Sequence, residues 1–128
     1  MKLFFDEDIG TGVPKALRSV GIKCDWIGKR QRPATRKGTP DEVWIPHAGR
    51  RGLLVFSCNK NILESEAQRE LWIEHKVGGV FLTTGQEKKA DVLLLILRRM
   101  MWLEDIHVNT PRPFAYTTTI RGNWKRVL

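Results

Sequence analysis

The segment KLFFDEDIG, residues 2–10, combines a short apolar run with three consecutive acidic residues. The run LFF predicts a short buried strand, and the acids DED follow where that strand ends. Glycines at positions 10 and 12 and Pro14 then indicate a turn and a helix start, because proline is best tolerated in a first helical turn. In a chain of net charge +8, this local concentration of negative charge needs a reason.

Strand and helix patterns alternate through the rest of the chain. Strands are expected near residues 22–26, 53–56 and 80–83, and helices over 13–20, 62–76 and 87–103. This order predicts an α/β fold, with three α/β/α layers and a central, mostly parallel sheet.

Two further segments have distinctive sequence signals. TPDE, residues 39–42, predicts a helix start with a threonine cap, and Pro46 is expected to shorten or kink that helix. Residues 114–120 and 124–128 flank Gly122-Asn123, which predicts a C-terminal β-hairpin.

Length and composition indicate a single domain spanning residues 1–128. The longest apolar run, residues 92–97, is far shorter than the ~20 residues that span a bilayer, so no membrane association is expected. Cys24 and Cys58 lie in apolar runs without zinc-ligand spacing, which favours reduced thiols and a cytoplasmic protein. The positive charge points to an acidic partner such as nucleic acid.

Polar side chains follow several predicted strands. The acids at 6–8, the segment SCNKN at 57–61 and the threonines at 83–84 all lie at carboxyl ends of strands, where parallel sheets bind ligands. Asp41 and Glu42 open the helix between the first two of these segments. Gathered carboxylates repel each other, and a hard divalent cation such as Mg²⁺ resolves that repulsion.

Structural roles remain open for several of these residues. Asp8 could cap the first helix, and Glu42 fits a capping box. The loop GKRQRPATRKG, residues 28–38, contains five basic residues and no acid. It is either a solvated connection or, beside a metal cleft, a surface that attracts a phosphate backbone.

The segments FFDEDIGTGVPKALRSVGIKC, TPDEVWIPHAGRRGLLVFSCNKNI, GGVFLTTG and RPFAYTTTIRGNWKRVL resemble a small branch of PIN-like proteins, akin to VapC-type toxins. The resemblance implies a PIN-like fold and a ribonuclease that depends on Mg²⁺ or Mn²⁺. It also implies that the protein is the toxin of a toxin–antitoxin pair, silenced by a cognate antitoxin. A homodimer is among the states left open.

Carried over to this chain, the resemblance implies specific site residues. Asp6 is the principal metal ligand, and Asp8, Asp41 and Glu42 complete or bridge the metal shell. Asn59 stands where relatives commonly have an aspartate, in T-R-D-K or T-K-D-K. The residues expected to hold RNA are Lys29, Arg30, Arg32, Arg36, Lys37 and Lys60.

Asn59 supports a second hypothesis, because a neutral amide is a weaker Mg²⁺ ligand than a carboxylate. The chain would then be a PIN-like module that has lost catalysis and binds RNA or a protein partner. Glu64 or Glu66 in the following helix could supply the missing charge. Receiver domains, which also cluster acids after their first strand, need a central strand-end aspartate, and residues 56–59 contain none.

Overall fold

A six-stranded sheet forms the centre of the protein in a computed structural model, which describes residues 1–28, 36–85 and 87–128. Its strands are β1 (Leu3–Phe5), β2 (Cys24–Trp26), β3 (Leu54–Ser57), β4 (Gly78–Leu82), β5 (Phe114–Thr118) and β6 (Trp124–Arg126). The helices are α1 (Gly12–Ser19), α2 (Asp41–Arg50), α3 (Asn61–Glu64), α4 (Glu66–Glu74), α5 (Lys89–Arg98) and α6 (Met100–Asn109), and a 3₁₀ turn covers Glu7–Ile9.

The strand order in the sheet is β2-β1-β3-β4-β5-β6. Neighbouring strands from β2 to β5 pair in parallel, and β6 pairs antiparallel with β5. The predicted α/β class, mostly parallel sheet and C-terminal hairpin are therefore confirmed. Within the described ranges, no helix is long and apolar enough to cross a membrane.

Alternate side chains of β1, β3, β4 and β5 enter two separate hydrophobic cores, one on each face of the sheet. Leu3 and Phe5 pack in one core with apolar residues of α1, α5 and α6. Phe4, between them, points to the other core, which contains Trp44 of α2 and Trp72 of α4. The period of two along β1 thus explains why a wholly apolar strand has helices on both of its sides.

The helix predicted over residues 62–76 is divided at Ser65, which has extended backbone angles (φ −79°, ψ 122°). Ile62 of α3 and Trp72 of α4 are both fully buried in the same core. The helix predicted over residues 87–103 likewise divides at Arg99, into α5 and α6.

Pro46 does not shorten α2, which continues to Arg50. The residues around the proline, Trp44 to Ala48, are all buried, and their packing outweighs the hydrogen bond that proline cannot donate. The helix begins at Asp41 with Pro40 as its N-cap and no side-chain cap bond. The predicted threonine cap is absent because the Thr39 hydroxyl donates to the carbonyl oxygen of Arg36, at 2.5 Å.

Gly78 and Gly79 begin β4. A Cβ atom on Gly79 would lie 2.9 Å from the Trp72 ring and 2.9 Å from the carbonyl oxygen of Val55. One on Gly78 would collide with the ring of Phe114. The glycines therefore let two large rings pack directly on the strand backbone.

Candidate active site

The carboxyl ends of β1 and β3 bring Asp6 and Ser57 together. Phe5 pairs with Phe56 in the sheet, so the next residue of each strand emerges at the same edge. Asp6 is only 4% exposed and Ser57 is fully buried. The Ser57 hydroxyl donates a hydrogen bond to Asp6 Oδ2 and accepts one from the backbone N–H of Asn59 at 2.9 Å. These bonds fix the acid against the loop that follows β3.

The second oxygen of Asp6, Oδ1, is buried and has no hydrogen-bond partner in the described part of the chain. Burial raises the pKa of Asp6 to about 7, an effect that the Ser57 hydrogen bond opposes and the nearby charge of Asp8 reinforces. The backbone N–H groups of Ile9 and Asp8 also oppose the rise in the pKa of Asp6, although neither has good hydrogen-bond geometry to Oδ1. Asp6 is therefore close to half protonated near neutral pH, and such strongly shifted pKa values are common among functional-site acids.

Asp6 lines a cavity of about 110 Å³, here called the acidic cavity. Its other lining residues are the acids Glu7, Asp8 and Asp41, with Ile27, Thr39, Trp44 and Asn59. A larger neighbouring cavity of about 550 Å³ shares Asp8 and Asn59 with it and includes Cys58 and Lys89. The two together form a cleft along the carboxyl edge of the sheet.

Asp41 has both carboxylate oxygens hydrogen-bonded. The indole Nε1 of Trp44 donates to Oδ1 at 2.7 Å, and Gln68 Nε2 donates to Oδ2. Burial raises the pKa of Asp41, and the Trp44 hydrogen bond opposes that rise. Asp41 therefore lines the acidic cavity and also ties α2 to α4.

Asp41→Asn is expected to lower the free energy of unfolding by about 1–3 kcal/mol, because the amide nitrogen would face one of the two donors and leave it unpaired. Glu42→Gln removes the same charge one residue later, on an exposed side chain, and should change stability by under ~0.5 kcal/mol. Urea unfolding of both variants checks this. Equal losses would contradict the structural role of Asp41.

The remaining predicted acids and Asn59 differ in position. Asp8 is exposed and lines both cavities. Asn59 also lines both, and its Oδ1 accepts a hydrogen bond from the backbone N–H of Asn61 at 3.2 Å. Glu42 lines neither cavity, and neither do Glu64 and Glu66. The helix start that Asp8 could have capped has Thr11 as its N-cap, with no side-chain cap bond.

The residues predicted to bind RNA are only partly described by the structure. Lys29, Arg30 and Arg32 lie outside the described residues. Arg36 and Lys37 are exposed, and the N–H of Lys37 donates to the carbonyl oxygen of Gly28 at 3.0 Å. Lys60 is exposed at the start of α3 and does not line either cavity.

Ser57, Glu7 and Lys89 lie in or beside the cleft but were not among the predicted site residues. Ser57 directly follows the strand predicted over residues 53–56 and belongs to the strand-end segment 57–61, so its position could have indicated it. Glu7 belongs to the same acid run as Asp6, and its Oε2 accepts a hydrogen bond from the N–H of Gly38 at 3.1 Å. Lys89 Nζ donates to the carbonyl oxygen of Ile9 at 2.5 Å, a contact across 80 residues that no local signal indicates.

Cys58 is free and half-buried at the edge of the cleft. Burial, with the charges of Asp6 and Asp8, raises the pKa of its thiol to about 11, although Lys89 opposes this rise. The thiol is therefore protonated at neutral pH. Since the thiolate is the reactive form, Cys58 is a poor nucleophile.

The donor atoms of the acidic cavity suit a hard divalent cation. They are carboxylate, hydroxyl and amide oxygens, and one buried oxygen of Asp6 lacks a partner among the described residues. In the described ranges, no three His, Cys, Asp or Glu side chains are close enough to form a metal-binding group. Mg²⁺ usually takes one or two carboxylates with waters and substrate phosphates, and Asp6 with one neighbouring acid fits that pattern.

Comparison with known proteins gives one match. The model of a family described as PIN like domain matches residues 1–84 of this chain. The matched segment runs from β1 through β4 and contains every acid of the acidic cavity. Searches of curated proteins and of solved structures gave no match.

Proposed function

Because the chain belongs to the PIN-like domain family, whose members have a nuclease-type function, we propose that it is a metal-dependent endoribonuclease. The observation that carries the proposal is Asp6, a buried carboxylate in a cavity lined by acids, one of whose oxygens has no hydrogen-bond partner in the part of the chain that the structure describes. We further propose a single domain over residues 1–128, acting in the cytoplasm as a toxin with a cognate antitoxin. This role rests on the resemblance to VapC-type toxins.

In this proposal, Asp6 is the principal ligand of Mg²⁺ or Mn²⁺, and Asp8 and Asp41 supply the neighbouring oxygens. When bound, such an ion polarises a phosphodiester and lowers the pKa of water. Ser57 holds Asp6 Oδ2 in place, and Oδ1 is the oxygen without a partner in residues 1–28, 36–85 and 87–128. Glu42 remains a candidate from the sequence, but its exposed position outside the acidic cavity makes Asp8 the better-placed second acid.

Asn59 favours a second function, a PIN-like module that binds RNA or a protein without cleaving it. Its amide carries no charge, and its Oδ1 already accepts the N–H of Asn61. Both functions predict RNA binding that weakens with salt. Only the first predicts cleavage that needs a divalent ion.

Cleavage of a mixed RNA pool by the purified protein tests the proposed function. We expect cleavage with Mn²⁺ or Mg²⁺ and none with EDTA. Asp6→Asn should not cleave, whereas Glu104→Gln, which removes an exposed charge on α6, should cleave like the parent. Identical cleavage by all three proteins would identify a contaminating nuclease. Inactivity of the parent with both ions would favour the binding module.

A further inference from the structure

A third cavity, of about 360 Å³, lies between α5 and the β5–β6 turn. This cavity is here called the arginine cavity, because three arginines line one end of it: Arg98, Arg99 and Arg121. Glu87 and Asp91 line the other end, with Leu94, Leu95 and Ile120 between. All of these residues follow residue 84, so the cavity lies outside the segment matched by the family.

The arginine cavity continues the cleft of the acidic cavity. Glu87 lines both the arginine cavity and the neighbouring 550 Å³ cavity, which in turn shares Asp8 and Asn59 with the acidic cavity. Lys89 at the start of α5 lies in the middle of this series, and Arg98 ends the same helix. Lys89 and Arg98 are nine positions apart on this helix, a distance of ~14 Å along its axis. That distance is about four stacked nucleotides at ~3.4 Å each.

The guanidinium groups of the arginine cavity are available to an external anion. The salt bridges within the described ranges are Lys2–Asp25 at 3.0 Å and Arg18–Asp25 at 3.1 Å, so these three arginines have no carboxylate partner there. All three are exposed. A Cβ atom on Gly122 would lie 2.5 Å from Arg99 Nε, so the glycine lets this side chain pack against the hairpin turn beside Arg121.

We propose that the arginine cavity is a second RNA subsite, where Arg98, Arg99 and Arg121 bind backbone phosphates of a single strand that extends from the acidic cavity past Lys89. The inference rests on the proposed function, because its RNA strand begins at the proposed cleavage site. Guanidinium groups suit phosphate oxygens through paired N–H donors. Phosphates bound in the arginine cavity would hold the strand across the acids of the acidic cavity, which by themselves repel RNA.

Binding of a fluorescein-labelled single-stranded 12-mer RNA to the full chain in EDTA tests the subsite without cleavage. Arg98→Gln/Arg99→Gln/Arg121→Gln should weaken binding about tenfold, and reduce the slope of log K against log salt by about 2, at ~0.7 per lost phosphate contact. The matched control Arg50→Gln/Arg51→Gln/Arg69→Gln removes three exposed charges away from the cleft. It should change the slope by less than about 1.

Equal losses in the two triple variants would overturn the proposal, since only overall charge would then matter. Weaker binding of a ten-residue polyglutamate peptide, with unchanged 12-mer binding, would overturn it in favour of an acidic protein partner. Circular dichroism confirms that both variants fold. Failure of the proposed function would give a different result. A parent that does not cleave RNA, but whose 12-mer binding depends on the arginine cavity, would refute cleavage and still support the subsite.

Discussion

Asp6→Asn is expected to make the protein more stable at neutral pH while lowering RNA cleavage by at least about 100-fold. The carboxylate is buried, and one of its oxygens has no hydrogen-bond partner in the described ranges. An amide keeps an acceptor for the Ser57 hydroxyl but removes the buried charge. A residue that costs stability in the native state and abolishes activity when neutralised is a functional residue rather than a structural one.

The sign of the pH dependence follows from the raised pKa of Asp6, about 7 against an ordinary value of 3.8. Because the native state favours the protonated acid, protonation of Asp6 stabilises the native state fully below about pH 4. This stabilisation is lost as the pH rises to about 7. Above pH 7, the buried charge of Asp6 lowers the free energy of unfolding by a constant amount. This amount is on the order of 4 kcal/mol, from ~1.4 kcal/mol per pKa unit. Asp6→Asn should lack this contribution.

Urea unfolding of parent and variant between pH 4.5 and 8.5, without divalent ions, measures the effect. The difference in free energy of unfolding should grow in favour of the asparagine protein up to about pH 7 and then level off. Glu104→Gln controls for the removal of one exposed negative charge. A difference that stayed constant over this range would mean that Asp6 does not titrate there. Added Mn²⁺ should stabilise the parent and not Asp6→Asn, because only the parent has the ligand.

The sequence could predict the sheet and the edge that holds the site. Apolar strands at β1, β3 and β4 separated by helical patterns leave few arrangements besides a parallel sheet with helices on both faces. In that arrangement, Asp6 and the residues after β3 must share one edge, which is how Asp6 and Asn59 come to line one cavity. The hairpin was predicted from Gly122-Asn123, but its tight turn lies one step earlier: the Gly122 N–H donates to the carbonyl oxygen of Thr119 at 2.9 Å, with Gly122 at φ +87°.

Local pattern could not predict contacts that depend on packing between distant elements. Ser65 and Gln68 form a Ser-x-x-Gln capping-box pattern at the start of α4, so the break at Ser65 had a local signal. That Ile62 and Trp72 enter one core depends on packing. Lys89 reaches the carbonyl oxygen of Ile9 only because α5 packs beside the β1 end. Asp41 lines the acidic cavity, but its bond to Gln68 depends on how α2 and α4 lie together.

Asn59→Asp is expected to raise the affinity for Mn²⁺ by about 10- to 100-fold, equal to ~1.4–2.7 kcal/mol. Asn59 lines the acidic cavity with Asp6 and Asp8, so an aspartate would add a charged oxygen to the same space. A carboxylate oxygen can still accept the hydrogen bond from the Asn61 N–H, which keeps the loop after β3 in place. Without an ion, the added charge should destabilise the fold, since it lies beside two acids.

Thermal unfolding at increasing Mn²⁺ concentration measures this gain, because a ligand that binds only the native state raises stability with its concentration. The Asn59→Asp protein should start below the parent in Tm without ions and rise more steeply with them. Asp6→Asn/Asn59→Asp is the matched control and should lose most of the rise. The same ion dependence in parent and Asn59→Asp would place the ion away from residue 59. A steeper rise of Tm with Mn²⁺, accompanied by new RNA cleavage, would mean that the site is otherwise complete. The neutral side chain of Asn59 would then be the reason for low activity in the parent.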